Sequence, residues 1–182
     1  YKILMALMGL EIGGAETHVV ELSLTLQKRG WEVLVASNGG VYEKTLEEHG
    51  IRHFSVPTHT RSPKLMRRAY FALEQIIRQE KPDIVHAHAR IPAFLCGKLQ
   101  KKLGFPFVTT AHGVFRINPM LRFLSNWGRQ TLAVSEDIRE YLIDQYDLPA
   151  GQIHVISNGI DTAAFSPEHS GKEARAEFQI SE

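Results

Sequence analysis

Short apolar runs alternate along this chain with longer stretches whose apolar positions recur every three or four residues. Ile3–Met8 is the first run, and it is followed by "GLEIGGAETHVVELSLTLQKRG", residues 9–30. There Ala15, Val19, Leu22 and Leu26 fall at spacings of 4, 3 and 4, with Val20 and Leu24 beside them. That period predicts a helix with a wide buried stripe, stopped by Gly30 after Lys28 and Arg29 at its negative end. Trp31–Ser37 then reads as a strand, Val41–His49 as a short helix, and Arg52–Val56 as a strand before Pro57. Ser62–Glu80 is a long helical run with Leu65, Ala69, Leu73 and Ile76 or Ile77 on one face, broken at Pro82. Asp83–His88, Phe107–Thr110, Gln130–Val134 and Ile153–Ser157 are strand-like. Pro92–Leu103, Pro119–Trp127 and Glu136–Tyr146 are helical between them. Strands separated by helices of about 10–15 residues imply βαβ units and a parallel sheet. The predicted fold class is therefore α/β, a Rossmann-like parallel sheet with helices on both faces.

Composition narrows the setting without changing that picture. The 182 residues suffice for one domain with a sizeable core. A net charge of +1 gives no basic excess for nucleic acid, and none is expected as a partner. No apolar run approaches the roughly 20 residues a membrane helix needs. The lone Cys96 excludes an internal disulfide and agrees with a cytoplasmic protein.

In a parallel sheet of this kind, ligands sit beyond the carboxyl ends of the strands. The residues predicted there are Gly13-Gly14, Asn38-Gly39-Gly40, His86-Ala87-His88, Ala111-His112-Gly113, Ser135-Glu136 and Asn158-Gly159. Gly13 and Gly14 permit positive φ and a close approach of a ligand to the backbone. Either they are a plain flexible turn, or they open a helix whose free N–H groups face a phosphate. A nicotinamide cofactor does not fit, because the loop lacks the G-x-G-x-x-G spacing and the second strand ends in Ser37-Asn38 without an acid. His86 and His88, two apart on a strand, share a face and could form a zinc site with His112. No Asp, Glu or Cys joins them at ligand spacing, so no metal is expected. His112, between an apolar strand and Gly113, should project into the cleft, where it can hold a hydroxyl or phosphate or move a proton near neutral pH. Ser135 is a good N-cap, with Glu136 and Asp137 in the first turn. Two segments, Arg61–Phe71 and Phe115–Arg129, interleave cations with apolar residues; each is a half-solvated helix face or a contact with an anionic surface.

In this order, "GGAE", "PDIVHAH", "TAHG", "AVSE" and "VISNGIDTAAF" resemble the N-terminal domain of the retaining GT-B glycosyltransferases of family 4. The likeness covers residues 1 to 167. It implies two Rossmann-like domains facing a cleft, the first binding the acceptor and the second the nucleotide sugar. By this resemblance Gly13 and Gly14 reach the donor diphosphate, and His112 is the catalytic-cleft histidine beside the reacting sugar. Glu16, His88, Gly113 and Ser135 would serve the acceptor, a sugar, polyol or lipid-linked glycan. The donor is a substrate such as a UDP- or GDP-sugar, and no cofactor is implied. With a lipid-linked acceptor the protein would touch the inner face of the membrane.

One departure matters. The family's donor domain carries a Lys/Arg pair and an E-x7-E pair, and neither is in this sequence. Residues 1–160 are thus expected to form the acceptor-side domain, and 161–182 the linker and the start of the donor-binding domain. This piece alone is expected to be inactive. A sugar-nucleotide epimerase of the same architecture, or a non-catalytic ligand-binding module, stays open as the alternative.

Overall fold

Alternating side chains on the five residues of β1 (Lys2–Ala6) divide the core in two. Ile3 and Met5 pack with Val33, Val35, Val19, Val20 and Leu46 on one face. Leu4 and Ala6 pack with Leu34, Leu73, Ile77, Val85 and Leu99 on the other. Burial on both sides explains why the strand reads as an unbroken apolar run.

The structure, a computed structural model, describes residues 1–115, 122, 125–160, 162 and 171–180, without the side chains of 173 and 174. After β1 come α1 (Gly14–Lys28), β2 (Glu32–Ser37), α2 (Glu43–Glu48), β3 (Arg52–Ser55) and α3 (Pro63–Glu80). They are followed by β4 (Ile84–Ala87), α4 (Arg90–Leu103), β5 (Phe107–Ala111), β6 (Gln130–Ala133), α5 (Glu136–Tyr146) and β7 (Ile153–Val155). A short helix α6 (Lys172–Glu177) lies near the C-terminus. Boundaries agree with the sequence expectation to within two residues. The helix expected over Pro119–Trp127 lies largely outside the described residues, as do Asp161 of the "NGID" turn and most of the segment 161–182.

Among the described residues, seven strands form one sheet, all parallel, in the order β3-β2-β1-β4-β5-β6-β7. This is the expected Rossmann-like α/β fold. The order reverses between β1 and β4, in register Ala6↔Ala87, so the chain leaves these neighbours in opposite directions and opens a crevice at their carboxyl ends. Helices α1 and α2 cover one face; α3 and α4 cover the other, tied together by the Glu74 carboxylate held between Arg78 and Lys102. A third cluster, Ile138, Leu142 and Tyr146 of α5 on Ala111, Ala133 and Ile153, closes the far end of the sheet. Ser135 caps α5 by accepting from Ile138 N at 3.3 Å. Phe178 and Ile180 near α6 are exposed.

Candidate functional site

Beyond β1 the chain does not turn freely; it is clamped. Leu10 N donates to Gly39 O at 2.9 Å, Asn38 N to Met8 O at 3.1 Å, and Tyr42 N to Leu10 O at 3.1 Å. Thr58 Oγ1 adds a bond to Leu7 O at 2.8 Å. Gly40, at φ +149, lies so close to the Leu10–Glu11 backbone that no Cβ would fit there. The loop after β2 therefore holds the loop after β1.

At the end of that clamped loop Gly13 is extended (φ −173, ψ 159), and Gly14 opens α1. The positive φ expected of the pair is not found, since neither glycine is in the left-handed region. What they contribute is the absence of a side chain. A Cβ on Gly14 would meet nothing within 4 Å, and no side chain caps α1. The first N–H groups of the helix are thus left open at the crevice, the arrangement that receives anions. The Glu16 carboxylate folds back beside Gly13.

Across the crevice His88 and His112 follow β4 and β5. His88 Nδ1 and His112 Nε2 are 3.1 Å apart. His18, from the first turns of α1, brings its ring centroid to 5.1 Å from that of His112. His86 stacks on His88 at 4.0 Å between centroids, as their shared strand face predicts, but its Nε2 is taken up by Thr110 Oγ1 at 2.7 Å. The trio able to hold a metal is therefore His18, His88 and His112, whose ligand nitrogens lie within 4.8 Å of one another. His18, not His86, completes it. Sequence reasoning passed over His18 because a histidine on a helix face carries no motif. The usable signal was its place one turn after Gly14, beside the sheet-facing Val19.

Burial keeps these imidazoles neutral. Loss of hydration pushes His86 down to about 3 and His112 down to about 4, the charged forms of neighbouring histidines adding to both. His88 is held well below the usual histidine range, and His18 is lowered, by the same loss of water. A neutral His112 can give or take a hydrogen bond at neutral pH, and the titration expected near neutrality moves to acid.

A cavity of about 940 Å³ opens here, reached by Met8, Glu16, Ala87, His88, Ala111 and His112 at the strand ends. Its outer wall is Arg61, Pro63 and Met66 at the start of α3, Arg90, Ile91 and Phe94 at the start of α4, and Phe115 and Trp127. Of the expected site residues, Glu16, His88 and His112 line it. Gly13 and Gly14 lie at the adjoining helix start, while Gly113 and Ser135 are outside its lining. Gly113 adopts no positive φ, so the turn after His112 does not depend on glycine's left-handed freedom. Arg90 was missed because Pro92 marked the expected helix start; the helix begins two residues earlier, and proline is tolerated within its first turn.

The sequence model of Glycosyltransferase Family 4 matches residues 12–164. The chain belongs to glycosyltransferase family 4. It is 26% identical over 177 residues to a phosphatidylinositol N-acetylglucosaminyltransferase subunit of Arabidopsis thaliana, covering 85% of this chain and 38% of that protein. It is 27% identical over 150 residues to the UDP-Gal:alpha-D-GlcNAc-diphosphoundecaprenol alpha-1,3-galactosyltransferase of Escherichia coli, covering 74% and 38%. A glycosyltransferase from Rickettsia africae ESF-5 superposes with a TM-score of 0.81 at 21% identity, over 99% of this chain and 50% of that one. The chain thus spans about two fifths of the length of these curated relatives. Among the described residues no helix is long and apolar enough to cross a membrane.

Proposed function

We propose that this chain is the acceptor-side half of a retaining family 4 transferase, which moves a sugar from a UDP- or GDP-sugar to a sugar, polyol or lipid-linked acceptor. The supporting observation is that the open N-terminus of α1 and the His88–His112 pair face one crevice at the β1/β4 reversal. Family membership favours transfer over the epimerase or free-standing-module alternatives. In this reading residues 1–160 are the acceptor-side domain, and 161–182 lead into a donor-binding domain.

The N–H groups at Gly13 and Gly14 receive the donor diphosphate as charge develops on it. His112 holds a hydroxyl of the reacting sugar. Glu16 and His88 meet the acceptor from the cavity side, with Gly113 and Ser135 at its margin. No metal or cofactor has a step here. The phosphate charge needs cations that these strand ends do not supply, and the expected source is the donor-binding domain. The E. coli relative is named for a UDP-sugar donor and a diphosphoundecaprenol-linked acceptor, and the Arabidopsis one for phosphatidylinositol. Both names favour a lipid-linked acceptor, which this protein would meet at a membrane face.

The test is transfer from radiolabelled UDP- and GDP-sugars to broad acceptors, by this chain and by a protein that includes the second domain. The longer protein should transfer with EDTA present, His112→Ala should lower its turnover at least 100-fold, and the 182-residue chain alone should show none. Transfer by the short chain, or zinc-dependent turnover, would overturn the reading.

A further inference from the structure

Arg90 is the first residue of α4, where the cavity wall changes from strand end to helix. Its Nη1 is buried and has no hydrogen-bond partner among the described residues, nor does any described carboxylate form an ion pair with it. The Phe115 ring holds the guanidinium from one side, 4.4 Å from Cζ to the ring centroid. Phe115 is fixed in turn: Tyr141 Oη donates to its carbonyl at 2.7 Å. α4 has no side-chain cap, and its first residues, Arg90 and Ile91, whose N–H groups precede Pro92, line the same cavity. The same cavity is also lined by the apolar side chains of Met66, Ile91 and Phe94, and by Trp127.

Arg90 as a whole is only partly buried, but a guanidinium nitrogen shut off from water with neither a hydrogen bond nor a counter-charge is costly, and a cation–π contact offsets only part of that cost. A phosphate restores the balance, because it accepts two parallel N–H bonds from arginine and further bonds from a helix start. A free sugar phosphate would leave the surrounding carbon surface facing water. A phosphate esterified to a hydrocarbon chain satisfies both halves of the wall. We infer that Arg90 and the N-terminus of α4 form a phosphate subsite for an acceptor whose phosphate is bonded directly to an alkyl or prenyl chain, with that chain lying along Ile91, Phe94 and Met66. This inference rests on the transferase reading for the meaning of "acceptor", while the binding itself does not.

The test is calorimetric titration of the 182-residue chain with geranyl phosphate, geraniol, glucose 1-phosphate and inorganic phosphate, each below its aggregation limit. Geranyl phosphate should bind saturably, at least tenfold tighter than the other three. R90Q should weaken it at least tenfold and leave geraniol unchanged, and R90K should recover part of the loss. Circular dichroism of each variant establishes that it is folded. F94D should weaken geranyl phosphate without changing inorganic phosphate. Geraniol or glucose 1-phosphate binding as tightly as geranyl phosphate would overturn the inference, as would a folded R90Q with unchanged affinity. None of these outcomes bears on turnover by the longer protein, so the subsite and the transferase reading fail separately.

Discussion

His88 Nδ1 and His112 Nε2, 3.1 Å apart, share one proton between two neutral rings. Whichever ring donates, the outer nitrogens, His88 Nε2 and His112 Nδ1, differ: one carries a proton and the other a lone pair. Both are buried and without a partner among the described residues. The pair therefore always offers one donor and one acceptor, and they exchange roles only when the shared proton crosses while the outer proton returns to the other ring through a bound hydroxyl. Because both atoms are shut off from water, a sugar hydroxyl, donor and acceptor at once, would meet such a pair only after a local opening.

The same burial predicts acid lability. A histidine whose folded value lies below its unfolded value binds fewer protons when folded. Its contribution to stability is complete above about pH 6.5 and is lost as pH falls toward the folded value. For His86, lowered to about 3, the loss between pH 7 and pH 5 is roughly 2 kcal/mol. Denaturant unfolding across that range should show the fall, and His86→Gln should lessen it, His88 and His112 keeping the remainder. An unchanged midpoint from pH 7 to pH 5 would mean the imidazoles are hydrated in the folded state.

Folding and phosphate contact should separate at the two glycine positions. Gly14→Ala places a methyl in open space on a helix and should raise stability by about 0.5 kcal/mol. Gly14→Val should leave the domain folded yet lower turnover of the longer protein by orders of magnitude, because a branched side chain covers the helix N–H groups. Gly40→Ala, strained and driven into the Leu10 backbone, should cost roughly 2–3 kcal/mol. Thermal melts of the three variants, with turnover for the second, check the order.

Ser135→Ala removes the cap of α5 and should cost about 1 kcal/mol. Ser135→Asp, which keeps an acceptor at the cap beside a positive helix end, should restore most of that. Melting temperatures that do not distinguish the two variants would show that Ile138 N is satisfied by other means.

Lys64, Arg67 and Arg68 are exposed on α3, whose start also forms the cavity mouth, and Phe71 beside Arg67 is exposed as well. If this face meets a membrane, vesicle sedimentation should require anionic lipid and weaken from about 0.05 to 0.5 M salt. The triple alanine variant should lose most of the binding. Equal partitioning of that variant would leave these residues as a solvated helix face.

Periodicity made the fold legible because the apolar pattern here is set by burial, which the sequence records residue by residue. Leu65, Ala69, Leu73 and Ile77 could only be one face of α3, and Ile3–Met8 only a strand covered on both sides. The site was half legible. Strand-end motifs located Gly14, His88 and His112, since topology fixes where strand ends meet. Backbone dihedrals and the company of a side chain are not periodic, so the extended φ of Gly13, the arrival of His18 and the unpaired Arg90 became visible only in three dimensions. Pro92 misled for a related reason: proline restricts where a helix can begin without fixing which permitted position is used.

The interlocking of the two loops after β1 and β2 has a thermodynamic consequence. Hydrogen bonds that also build the fold order the segment from Leu7 to Leu10, so the chain entropy of that stretch is surrendered during folding and not when a ligand arrives. A phosphate reaching α1 meets a loop whose root is already organised. More of its intrinsic contact energy can then appear as affinity. A mutation that loosens Gly40 should weaken donor binding from a distance, by returning disorder to a loop whose own residues are untouched.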